Sequence, residues 1–193
     1  LSPDGKYISY MAPYEDRLNV FVRAIGKTDE QALRITHETE RSVAGYMWAD
    51  NERLLYMKDT AGDENYQLYG VLRDGSDERA YTAFKGVRTS LIDDLEEQDD
   101  FVLIGMNRRN PEVFDPYRLN LKTGELTLLA ENPGNIQGWM TDHEGKLRVA
   151  TAIVDGINTQ VLYRDTEDEP FRAVLTTNFR DVVSFMEFTP DNK

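Results

Sequence analysis

The sequence predicts an all-β chain, a partial β-propeller of about four four-stranded antiparallel blades of ~47 residues. Three observations predict it. A turn signature recurs along the 193 residues at near-constant spacing. Each interval between signatures holds four short strand-like runs. No segment carries a sustained helical period with caps.

The signature is a large apolar residue followed by a polar turn on Asp with Gly or Asn. It appears as Leu1-Ser2-Pro3-Asp4-Gly5-Lys6, Trp48-Ala49-Asp50-Asn51-Glu52, Trp139-Met140-Thr141-Asp142-His143-Glu144-Gly145-Lys146 and Phe188-Thr189-Pro190-Asp191-Asn192-Lys193. The first strands of the units are 6–11, 53–58, 101–106 and 146–151. Counted from Tyr7, Leu54, Phe101 and Leu147, they start 47, 47 and 46 residues apart.

Second strands follow at 19–24, 66–73, 117–121 and 159–164. Bulky and β-branched residues nearly alternate in them, as in Gln67-Leu68-Tyr69-Gly70-Val71-Leu72, which puts every second side chain on one face. Third strands are expected at 32–36, 79–84, 125–130 and 171–176. Arg73-Asp74-Gly75-Ser76 and Lys122-Thr123-Gly124-Glu125 join second to third strands with residues that tolerate positive φ. A fourth apolar run closes each unit at 43–48, 87–92, 136–140 and 182–188. The blades are therefore placed at roughly 1–47, 48–95, 96–139 and 140–188. The acidic stretch 93–100 reads as a solvated turn. A β-sandwich also gives short strands and regular turns; the equal spacing favours blades.

The last signature stops at Lys193, in the middle of a repeat. The expectation is a piece of a longer polypeptide whose open blade faces promote self-association or leave one end disordered.

Composition excludes several functions. With 35 acidic and 22 basic residues the formal charge is −13, unsuited to a phosphate backbone or an anionic membrane surface. Zero cysteines exclude disulfides and thiolate metal sites. The strongest apolar run, Phe101–Met106, is too short to span a bilayer. Two histidines, His37 and His143, cannot make a multi-histidine zinc site. None of the six serines (Ser2, Ser9, Ser42, Ser76, Ser90, Ser184) sits in a Gly-x-Ser-x-Gly elbow. No metal, cofactor or catalytic residue is expected in this chain.

Two loops carry the candidate chemistry. In Lys58–Tyr66, three acids and an amide cluster, and Asp63, Glu64 and Asn65 could hold a cation or a substrate amine. The competing reading is that Asp63 and Asn65 only fix the turn. In Asn107–Tyr117, Arg108 and Arg109 could hold a carboxylate or a peptide carbonyl. The competing reading pairs them with Asp115 or Glu112.

The ordered set of turns resembles a known family. Leu1–Lys6 looks like a propeller repeat of the Tol-associated and dipeptidyl-peptidase type. Trp48–Arg53 with Gly62-Asp63-Glu64-Asn65, Arg109-Asn110-Pro111 with Phe114-Asp115-Pro116-Tyr117, Lys122–Glu125 and Asn132-Pro133-Gly134 together resemble the N-terminal propeller of bacterial prolyl oligopeptidase family serine peptidases, in the acylaminoacyl-peptidase and dipeptidyl-aminopeptidase branch. The resemblance implies a parent of seven or eight blades over a C-terminal α/β-hydrolase domain that is absent here. It implies a peptide substrate met through that parent, and periplasmic or other export. In the dipeptidyl branch acidic propeller residues hold the substrate amine, and Glu64 is the acidic candidate for that role. The chain alone is expected to be inactive. A protein-binding scaffold of the Tol-associated type and a propeller glycosidase fragment are the alternatives.

Overall fold

The computed structural model describes residues 1–95, 98–181, 183 and 185–192. The described residues form four antiparallel sheets. The first has three strands, β1 (Tyr7–Tyr14), β2 (Arg17–Ala24) and β3 (Leu33–Arg34), in that order. The second runs β4 (Gly45–Trp48), β5 (Arg53–Lys58), β6 (Gln67–Leu72) and β7 (Arg79–Ala80). The third contains β8 (Thr89–Asp93), β9 (Phe101–Asn110), β10 (Val113–Asn120) and β11 (Leu126–Leu128). The fourth contains β12 (Ile136–Thr141), β13 (Leu147–Val154), β14 (Asn158–Tyr163) and β15 (Arg172–Thr177). Helical structure among the described residues is one 3-10 turn, Asp29–Gln31. The chain divides into two compact units, Leu1–Ser90 and Leu91–Lys193, with the division inside β8.

The sheets are offset by one strand from the sequence units. The run that closes a sequence unit is the first strand of the following sheet, as β4 pairs with β5 and β12 with β13. The reason lies in the signature itself, which is a hairpin turn inside a blade and not a boundary between blades. Ala49 N–H donates to the Arg53 carbonyl, while Asp50 Oδ1 accepts the N–H groups of Glu52 and Arg53. In the fourth blade Asp142 N–H donates to the Lys146 carbonyl, and Asp142 Oδ1 accepts from Glu144 and Lys146. Ser2 Oγ takes the same part before β1, accepting Tyr7 N–H. Successive turns also bond to each other. Asp4 N–H donates to Asn51 Oδ1 at 2.8 Å, and His143 N–H to Asn192 Oδ1 at 3.0 Å.

Three segments named in the sequence lie partly outside the described residues. These are the acidic turn 93–100, the closing run 182–188 and the last signature, 188–193. Among the described residues, 183 and 185–188 are not in a strand.

Packing follows strand position. The two middle strands of the second and third sheets are buried on both faces, as in Leu54, Leu55 and Tyr56 of β5 or Val102, Leu103 and Ile104 of β9. The last strands are short in three blades, two residues in β3 and β7 and three in β11. Short edges present little unpaired backbone. In the first unit Val20, Val22, Ile35 and Val43 pack against Leu54, Tyr56 and Val71, with Trp48 Nε1–H donating to Ser9 Oγ across the two blades. In the second unit Leu95, Leu103 and Leu147 form the shared core, flanked by Trp139 and Phe171.

A polar layer recurs at one end of the blades. Val20 N–H donates to Thr36 Oγ1 and Leu68 N–H to Thr82 Oγ1, at 2.8 and 2.7 Å. The carbonyls of Val20, Leu68 and Pro116 accept from Ile35, Tyr81 and Leu129, each at 2.9 Å. Pro116 thus occupies in the third blade the place of Val20 and Leu68, and it has no N–H. Ala130 stands where the other blades have Thr36 and Thr82. The residue before each, Asn19, Gln67 or Asp115, is buried and bonds the backbone of the link to the next blade, at Glu38, Phe84 and Asn132.

Candidate functional site

Both candidate loops join the second and third strands of their sheets, β5 to β6 and β9 to β10. In each blade this connection lies at the end opposite the signature turn. The loops belong to different units.

In the first loop Asp63 fixes the turn. Its carboxylate accepts Asn65 N–H at 3.0 Å, Asn65 Nδ2–H at 3.1 Å and Thr60 N–H at 3.4 Å. The Asn65 amide and backbone hold its pKa below the usual carboxylate range. Ala61, Gly62 and Glu64 all have left-handed backbones, with φ of 54°, 82° and 57°. The Glu64 side chain is exposed. Sequence reasoning put weight on Asp63, Glu64 and Asn65 but not on the group beneath them. Asp59 is buried, and Arg41 grips it side-on, with Nε 2.8 Å from Oδ1 and Nη2 3.1 Å from Oδ2. The guanidinium lowers the Asp59 pKa, and the carboxylate raises that of Arg41. Asp59 ends the β5 run, but its partner lies 18 residues earlier. No local pattern reveals that pairing.

In the second loop the strands extend further than the sequence suggested. β9 runs to Asn110 and β10 starts at Val113, so Arg108 and Arg109 lie on a strand beside a tight hairpin. The segment holds two prolines. Pro111 is in the turn, whereas Pro116 is accommodated in β10 near a bulge between Val113 and Asp115. Arg109 is committed to the protein. Its Nε and Nη2 bond the two oxygens of fully buried Asp115 at 2.9 and 2.8 Å, and Nη2 also donates to the Asn132 carbonyl at 2.8 Å. Asp115 Oδ1 further accepts Asn132 N–H at 2.7 Å. The Asn132 side chain then bonds Phe114, Gly134 and Ile136, fixing the turn through Asn132-Pro133-Gly134. Arg108 is exposed on the same strand.

His143 is exposed in a signature turn, with Nε2 3.0 Å from the Phe188 carbonyl, and His37 is exposed after β3. A cavity of about 730 Å³ in the second unit lies at the signature-turn end, against Asp93, Thr141, Asp142, His143 and Phe188. None of the five candidate residues lines it.

The blades and their two aspartate-clamped loops define a propeller segment with ordered loop ends. Comparison with known proteins gives its relations. No family profile matches the chain. Dipeptidyl aminopeptidase BIII of Pseudoxanthomonas mexicana is 32% identical over 186 residues, covering 92% of this chain and 27% of that protein. Dipeptidyl peptidase family member 6 of Caenorhabditis elegans is 29% identical over 202 residues, covering all of this chain and 26% of that protein. Among solved structures, prolyl oligopeptidase B of Galerina marginata superposes with a TM-score of 0.63 at 14% identity, over 90% of this chain and 26% of that one. TolB of Acinetobacter baumannii gives 0.55 at 16% identity, over 91% of this chain and 42% of that one. In sequence the chain is thus similar to part of a dipeptidyl aminopeptidase and of a dipeptidyl peptidase family member, and it shares its fold with prolyl oligopeptidase B and TolB. It spans about a quarter of the length of the curated relatives it matches.

Proposed function

We propose that this chain is the non-catalytic propeller part of a serine exo- or oligopeptidase, where it limits access to a hydrolase domain and contributes contacts to the peptide. The identity to dipeptidyl aminopeptidase BIII across 92% of the chain carries this reading. The acidic composition agrees with it, since a free peptide amine is a cation that an anionic entrance attracts. Glu64 offers an exposed carboxylate for that amine and Arg108 an exposed guanidinium for a carbonyl or carboxylate. Asp63, Asn65 and Arg109 support these two residues by shaping their loops.

The test uses the full-length protein that carries this chain. It should release p-nitroaniline from dipeptidyl p-nitroanilides and leave folded casein-sized substrates intact, while the 193-residue chain alone turns over neither. Absence of hydrolysis by the full-length protein would sink the peptidase reading, and rapid digestion of large substrates would sink the gating role.

A further inference from the structure

We infer that Asp59 and Arg41 are positioning residues for Glu64, fixing its carboxylate for a cationic amine. The inference rests on the reading of Glu64 as an amine contact. Asp59 Oδ2 accepts from two directions, from Arg41 Nη2 at 3.1 Å and from the backbone N–H of Glu64 at 3.4 Å. A buried, ion-paired carboxylate thus tethers the main chain of the residue whose side chain is exposed. Arg41 itself comes from the link between the first two sheets, residues 35–44, and lies under the loop. A Cβ built on Gly62 would stand 3.5 Å from Arg41 Nη1.

The tether opposes a conformational preference. Non-glycine residues disfavour left-handed backbone, and this loop holds Ala61 and Glu64 there on either side of Gly62 and Asp63. Asp63 shapes the turn from within, its carboxylate accepting from Thr60 and Asn65 of the same loop. Asp59 is the group that joins the turn to the body of the unit. With that bond lost, Glu64 is free to relax to negative φ, which swings its side chain away. The same device appears in the third blade, where buried Asp115 holds both Arg109 and the Asn132 N–H. There it secures a link between blades. In the second blade it secures an exposed acid.

Steady-state kinetics of the full-length protein tests this with Ala-Ala-p-nitroanilide, and with N-acetyl-Ala-Ala as a competitor that lacks the amine. Glu64→Gln and Asp59→Asn should each raise KM at least fivefold with kcat within twofold, leaving the inhibition constant of the acetylated dipeptide unchanged. Arg41→Lys, which keeps the charge and loses the fork, should raise KM by a smaller factor. A purely structural role would move both ligands together. If Glu64→Gln raises KM and both Asp59→Asn and Arg41→Lys leave it unchanged, the positioning role is wrong and the amine contact stands. If Glu64→Gln changes nothing, both are wrong. Should Asp59→Asn fail to fold, Arg41→Lys at its half-exposed position decides alone.

Discussion

Gly70 shows how a single side-chain hydrogen organises a blade. It lies in β6 between Leu55 and Tyr81, and a Cβ there would stand 2.6 Å from the Tyr81 ring. Tyr81 is itself buried, so its ring must shift within the core to make room. Gly70→Ala is expected to destabilise by about 1–3 kcal/mol, the usual range for overpacking, read as a lower urea midpoint. An unchanged midpoint would mean that the Tyr81 ring shifts at no cost. Arg109 illustrates what residue types alone can and cannot say. A pair of adjacent arginines beside Asp115 allowed either a ligand contact or an internal ion pair. The structure assigns Arg109 to the ion pair because Asp115 is fully buried, and burial of one partner is not written in local sequence.

At the scale of the strand, alternation and turn residues made nearly every element legible. The runs at 53–58, 66–73 and 146–151 overlap β5, β6 and β13 closely, because each is a short apolar or alternating stretch bounded by polar turns. Pairing was less legible. A repeat has no intrinsic origin, and an aspartate turn can end a unit or join two strands, so the units came out one strand away from the sheets. The exchange of Thr and Val or Leu for Ala and Pro was visible as letters but had no meaning without the register. It supports a double-mutant test. Pro116→Val puts a buried N–H opposite Ala130 and should cost about 1–3 kcal/mol, the penalty for an unsatisfied buried donor. Adding Ala130→Thr should restore most of that loss in chemical denaturation. If the second change brings no recovery, the equivalence of the three blades at this position is wrong.

For the molecule as a whole, charge sets the response to acid. Several carboxylates are held below their ordinary pKa by specific partners: Asp59 by Arg41, Asp74 by Ser76, Asp77 by Arg79 and Asp165 by Arg172. Asp4, bonded by Lys6 and Ser2, is lowered to about 2. These groups bind protons more weakly folded than unfolded. Their stabilisation is therefore complete above the unfolded value near 4 and is lost as pH falls through the folded values. The melting temperature should be level from about pH 7 to 5 and should drop between about pH 4 and 2. A fall that begins near pH 6 would require a different group, such as a histidine. The sequence likeness is also a property of the whole chain. It runs over 92% and 100% of the chain in the two relatives, and the resemblance was carried by the ordered series of turns, not by any one of them.

The Pro116 position has a consequence for how repeats in such a chain can diverge. Starting from a threonine blade, replacing Thr by Ala first strands a buried N–H with no acceptor. Replacing the donor residue by proline first only releases a hydroxyl, which can turn to another acceptor. The tolerable mutational path is therefore ordered, proline before alanine, and its reversal requires threonine before the proline is lost. Copies of one repeat drift apart here by paired steps in a fixed sequence, so a blade that carries one partner without the other marks an intermediate on that path.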